Sequence, residues 1–140
     1  MSMELIVILA MGTPLNTNDL NQVAKNFEPI AAYEKNIDLS SHTGFIPVKL
    51  GDKETGVESY EIPLSEIIER LPPNENINKD NSIVIRLRWG GDMIEGATAL
   101  YTAALYSAAY NGIAFDPMSN TYIETNQLEQ GYKAMMTYSD

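Results

Sequence analysis

The segment Ser82–Trp89 alternates Ile83, Ile85, Leu87 and Trp89 with Val84, Arg86 and Arg88. Successive strand residues point to opposite faces, so this pattern specifies a strand covered on one side and wet on the other. Gly90-Gly91 then turns the chain into Met93–Tyr110, where Ala97, Ala99, Ala103, Ala104, Ala108 and Ala109 recur among larger apolar residues. A helix so rich in small residues can approach its neighbour closely. Asp92, with Glu95 three residues on, resembles a capping box with an acidic cap. Asn111-Gly112 provides the left-handed stop. A half-wet strand feeding an apolar helix requires a layered domain, with the helix against the dry face.

The rest of the chain supplies further layers. Residues 3–10 predict a first strand, ended by Gly12 and Pro14, and Asn16 or Thr17 can cap a helix running to about Phe27. Leu20, Val23, Ala24 and Phe27 form its apolar stripe. Residues 45–48 and 57–62 are β-like and joined by residues 51–56, which predicts a hairpin. Pro47 cannot donate to a ladder and points to an edge or an irregular strand. Residues 64–71 predict a short helix ended by Pro72-Pro73. Residues 113–115 and 122–123 predict strands, and residues 126–137 a terminal helix. No repeat or long linker interrupts the chain, so a single domain over residues 1–140 is expected. The expected fold class is α+β, a mostly antiparallel sheet with helices packed on one face and the other face partly open. The alternative is an α/β sandwich with a mixed sheet, because three strand-then-helix units could each make a parallel crossover.

Composition removes whole classes of chemistry. The chain has 140 residues, no cysteine and one histidine, so thiol nucleophiles, thiolate zinc sites and sites needing two imidazoles are excluded. No metal or cofactor is expected. Nineteen Asp and Glu face nine Lys and Arg, a formal charge of −10. Affinity for phosphate backbones comes from clustered bases, so direct nucleic-acid binding is not expected. A surface this acidic attracts basic partners instead, although Asp and Glu also serve simply to keep a domain in solution. The longest apolar run, residues 5–11, is far shorter than the roughly 20 residues of a membrane span, and a cytoplasmic location is the default expectation.

Several motifs imitate chemistry and fail on inspection. Residues 91–98 copy the spacing of a phosphate loop, yet Ala97 stands where the Lys belongs and Asp92 and Glu95 put negative charge where phosphates would lie. Asp38, Ser41 and His42 supply the residue types of a nucleophilic triad but lie too close in sequence to converge. Glu66 precedes Arg70 by four residues, as a surface ion pair would. Asn76, Asn78 and Asp80 mimic a calcium loop that lacks its sixth-position Gly and its final Glu. Eight tyrosines suit either an interface or a core with hydroxyls at its rim.

Two segments carry a family resemblance. Residues 43–48, Thr-Gly-Phe-Ile-Pro-Val, are followed by Glu-Thr-Gly-Val-Glu-Ser-Tyr at 54–60. The strand Ser82–Trp89 is followed by an Ala-rich helix and by Asn-Gly-Ile-Ala-Phe-Asp-Pro at 111–117. Together they resemble immunity proteins of bacterial polymorphic-toxin and contact-dependent growth-inhibition systems. The resemblance implies a small non-enzymatic inhibitor that binds a cognate protein toxin domain and blocks it. An acidic inhibitor can mimic phosphates, which makes a basic nuclease-type toxin the expected partner. Within that expectation the partner-binding residues are Asp52, Glu54, Glu58 and Glu61, with Tyr60 as an aromatic anchor. Arg86 and Arg88 on the open sheet face come next, and the expected state is a monomer or a weak homodimer. The competing function class is an acidic-pocket enzyme or small-molecule-binding domain built on Asp92, Glu95 and Asp116 at strand ends.

Overall fold

The computed structural model describes residues 3–138. They form an α+β fold in which one antiparallel sheet of seven strands carries three helices on one face. The strands are β1 (Met3–Ala10), β2 (Ala31–Tyr33), β3 (Gly44–Leu50), β4 (Lys53–Ile62), β5 (Ser82–Trp89), β6 (Ile113–Asp116) and β7 (Thr121–Ile123). Their spatial order is β2-β3-β4-β5-β1-β6-β7, with every neighbouring pair antiparallel. The helices are α1 (Thr17–Ala24), α2 (Met93–Tyr110) and α3 (Thr125–Tyr138). No parallel crossover occurs among the described residues, so the mixed-sheet alternative does not apply.

Period-2 alternation divides the core in two. On the helical face, Leu5, Val7 and Leu9 of β1, Ile85, Leu87 and Trp89 of β5, and Ile46, Val48 and Leu50 of β3 pack against the helices. On the outer face, Ile6, Ile8, Ile62, Val84 and Phe115 are covered by Ile67, Leu64, Leu71 and Ile77 from the segment between β4 and β5. That cover stops short of β2 and β3, where Phe45, Pro47 and Lys49 are exposed. The outer face is thus half closed and half open.

Local chemistry sets the element ends. The Asn16 side chain accepts from the Asp19 amide at 2.9 Å and caps α1. α1 closes at Ala24, three residues earlier than expected, because residues 26 and 27 donate to carbonyls three residues back and tighten the chain. Residues 64–71 are likewise two 3-10 turns, Leu64–Glu66 and Ile68–Arg70, and not an α-helix. With Pro63 before and Pro72 after, the segment is too short to repay α-helix nucleation. The hairpin loop is only Gly51-Asp52, and β4 starts at Lys53 and pairs with Leu50. Gly51 takes φ 63°, which a two-residue hairpin turn requires and glycine adopts without strain. Asn111, φ 56°, ends α2.

Strand β2 carried no clear sequence signal, and its position explains Pro47. By strand order β3 is internal, but β2 has ended at Tyr33 when the chain passes Pro47. Glu34 still donates to the Pro47 carbonyl at 3.0 Å, and only one ladder bond, from the missing Pro47 amide, is forgone. The outward backbone of β2 is closed by side chains. Asn21 of α1 accepts from the Tyr33 amide at 2.6 Å and donates to its carbonyl at 3.0 Å, while the Tyr101 hydroxyl accepts from the Ala31 amide at 3.1 Å. An edge saturated in this way offers no template to another strand.

Tyrosines fill the centre of the helical core. Tyr101, Tyr106 and Tyr132 are among the largest fully buried side chains, and the Tyr101 and Tyr132 rings meet at 5.0 Å. Burial pushes the Tyr132 phenol up to about 12, helped by the charges of Glu129 and Glu28. Burial raises Tyr101 and Tyr106 as well. An ordinary phenol titrates near 10. Below that value the stabilisation is fully present. Above it the unfolded chain releases protons that the fold retains, so stability must fall as pH climbs from about 10 towards 12. Urea midpoints between pH 8 and 11.5 should decline steadily in that upper window, and Tyr132→Phe should make the decline shallower.

Candidate functional site

The open half of the outer face is built by β3, β4 and β5. Phe45, Pro47 and Lys49 project from β3, Glu54, Glu58 and Tyr60 from β4, and Arg86 and Arg88 from β5. Register places Phe45 opposite Glu58, Glu58 opposite Arg88, and Arg88 opposite Glu4 of β1. Tyr60 lies opposite Arg86, and Lys49 opposite Glu54. The Phe45 ring occupies the space that a side chain at Gly56 would take, so glycine at that position lets an aromatic lie flat on the strand. Phe45 nevertheless remains 50% exposed.

Charges on this face come in complementary pairs. Arg86 Nε lies 3.5 Å from Glu4 Oε2, without hydrogen-bond geometry. The Tyr60 hydroxyl donates to Glu58, and that bond raises the Tyr60 phenol above its ordinary value, against the opposing pull of Arg88. Direct cross-strand pairs of opposite charge stabilise a sheet modestly. The face therefore has acids, but each stands beside a base. The charge of −10 belongs to the whole molecule and is not concentrated here.

Of the five residues expected to contact a partner, the fold brings three together. Glu54, Glu58 and Tyr60 share the outer face. Asp52 sits at the exposed hairpin tip beside it. Glu61 is separated from them, because an odd position on β4 falls on the opposite face to Glu58 and Tyr60, paired with Ile85 of the helical side. Phe45 is the contribution that sequence reasoning missed. The Phe45-x-Pro47-x-Lys49 alternation against the buried Ile46, Val48 and Leu50 was the signal that could have found it.

Two of the three competing acidic residues, Asp92 and Asp116, have structural employment. Asp92 accepts from the Ile94 amide at 2.8 Å and the Glu95 amide at 3.0 Å, capping α2. Asp116 accepts from the Met118 amide and the Ser119 hydroxyl, both at 2.9 Å, and closes the turn after β6. Asp116 lines a cleft that Asp92 and Glu95 do not reach. Ser41 donates to the Asp38 carbonyl, while the Asp38 carboxylate is held by Ser40 and lowered by those hydrogen bonds. His42 Nε2 lies 3.0 Å from the Phe45 carbonyl, away from both. Asn74 and Asn78 accept from backbone amides two and three residues on, as turn residues do. Among the described residues no cluster of three His, Asp or Glu is placed to hold a metal ion, and no helix is long and apolar enough to cross a membrane.

No protein-family model, no curated protein and no solved structure matches the chain. If Asp92 serves as a cap, Asp92→Ala lowers the unfolding free energy by about 1 kcal/mol and Asp92→Asn restores most of it, since the amide oxygen still accepts. Chemical denaturation of the two variants measures this directly.

Proposed function

We propose that this chain is an immunity-type inhibitor that binds a basic, nuclease-like toxin domain through the outer face of the β3–β4 hairpin. The observation that carries the reading is the aromatic pair Phe45 and Tyr60, set among Glu54, Glu58, Lys49 and Arg88 on a sheet face left uncovered. Such a patch has the make-up of a protein interface, with aromatic anchors inside a charged rim.

Because acids on the face are matched by bases, phosphate mimicry by a dense acidic hairpin is not the favoured mechanism. The molecule-wide charge of −10 draws a basic partner from a distance and raises the encounter rate. Contact is then made by Phe45 and Tyr60, with Glu54 and Asp52 facing bases across the rim. A partner without net positive charge would gain nothing from the first step.

The test uses the product of the gene adjacent to its own. Co-expression should rescue growth from that product, and stopped-flow association should slow as salt rises. Glu54→Lys with Glu58→Lys should lower the on-rate about tenfold at low salt and change the off-rate less, whereas Phe45→Ala should act chiefly on the off-rate. Rates indifferent to salt would contradict the steering account. Unchanged kinetics in all variants would move the interface off the hairpin.

A further inference from the structure

A second feature lies at the end of the sheet where β1 begins and β5 and β6 finish. Leu5, Trp89, Leu100 and Ile123 line a half-open cleft of about 360 Å³ there, completed by Pro117 and the exposed Met3 and Met118. Clefts of that volume with mostly apolar walls hold small molecules. It shares no lining residue with the β3–β4 hairpin; Glu4, the neighbour of Arg86, is the point where the two surfaces adjoin.

Three charged side chains also line the cleft: Glu4, Arg70 and Asp116. Two are committed within the fold. Glu4 is the neighbour of Arg86 at 3.5 Å, and both Asp116 oxygens are taken by the turn that follows β6. The side chain of Arg70, at the end of the Ile68–Arg70 turn, makes no hydrogen bond or ion pair among the described residues, its backbone amide being held by the Ile67 carbonyl. An apolar cleft thus ends on one guanidinium with its donors unspent.

We propose that the cleft binds a small apolar molecule bearing a single carboxylate. Its body would lie against Trp89 and Leu100, and its carboxylate would take the planar fork of Arg70 in two parallel N–H···O bonds. Glu4 and Asp116 set the limit of one charge, because a second anionic group would face them without a donor. Met3 and Met118 give the walls flexible thioether chains that adapt to the shape of the body. This proposal stands apart from the hairpin reading and survives its failure.

Trp89 is the only tryptophan in the chain, so its indole N–H gives one unambiguous resonance from a residue that lines the cleft. We would titrate the full chain with octanoate, octanol and octylammonium at about 0.15 M ionic strength, where long-range charge effects are damped. Octanoate should shift the indole resonance and bind about tenfold tighter than octanol, the usual scale of one charge-assisted contact. Arg70→Gln, on a surface turn, should erase that advantage and leave octanol binding unchanged. Met118→Glu alters a side chain that is 70% exposed and should weaken octanoate again by adding an anion. Tighter binding of octylammonium would hand the site to Glu4 and Asp116 and overturn the proposal. Equal affinity for octanoate and octanol, indifference to Arg70→Gln, or a silent indole resonance would do the same.

Discussion

Burial of α2 is the constraint on which the remaining architecture depends. Ten of its eighteen residues, from Gly96 to Tyr106, are buried, so it is enclosed by the sheet below and by α1 and α3 beside it. Its alanines and Gly96 allow that enclosure. A Cβ at Gly96 would lie 2.8 Å from Trp89 Nε1 and against the end of Met135, so the helix could not sit as close to β5 and α3 with a larger residue there. Two of the polar groups it carries inward are satisfied locally: the Thr98 and Thr102 hydroxyls donate to carbonyls one turn back, at 2.7 and 2.8 Å, while the buried Tyr106 hydroxyl has no partner among the described residues. The Tyr101 hydroxyl donates to the Pro29 carbonyl at 2.6 Å and accepts from the Ala31 amide at 3.1 Å, tying the helix to the start of the strand that closes the sheet edge. The Tyr33 and Thr102 hydroxyls, 2.6 Å apart, add a second tie.

With all three helices spent on one face, the opposite face must be served by something else. The segment between β4 and β5 covers Ile6, Ile8, Val84 and Phe115, and the Tyr122 hydroxyl anchors it by donating to the Pro72 carbonyl at 2.6 Å. It does not extend over β3. What remains uncovered is a surface of aromatic rings and opposed charges, and the proposed partner contact follows from that shortfall. The same geometry explains why Glu58 and Glu61, three residues apart, cannot act together on one partner.

Much of the fold was legible in the sequence because the signals were local and strong. The alternation in Ser82–Trp89, the Ala-rich run after it, the Asp92 cap and the Asn111 stop each rest on one residue's neighbours. The parts that were not legible depend on distant partners. β2 is a strand only because Lys49 and Val48 pair with it and Asn21 and Tyr101 satisfy its outer side. The turns at 64–71 have the apolar spacing of a helix, but flanking prolines leave too little length for one. Of the site, the acids and Tyr60 could be found by composition. The pairing of each acid with a base required the register of the sheet, and the place of Arg70 at the cleft required the path of the turns between β4 and β5.

The central claim, that a protein partner seats on the hairpin face, is tested most directly by side-chain oxidative footprinting of the chain alone and bound to the product of its adjacent gene. The account predicts that Phe45 and Tyr60 become protected, while Met93, 40% exposed at the start of α2, and Tyr138, 80% exposed at the end of α3, do not change. Protection confined to α2 and α3, with Phe45 still open to oxidation, would contradict it.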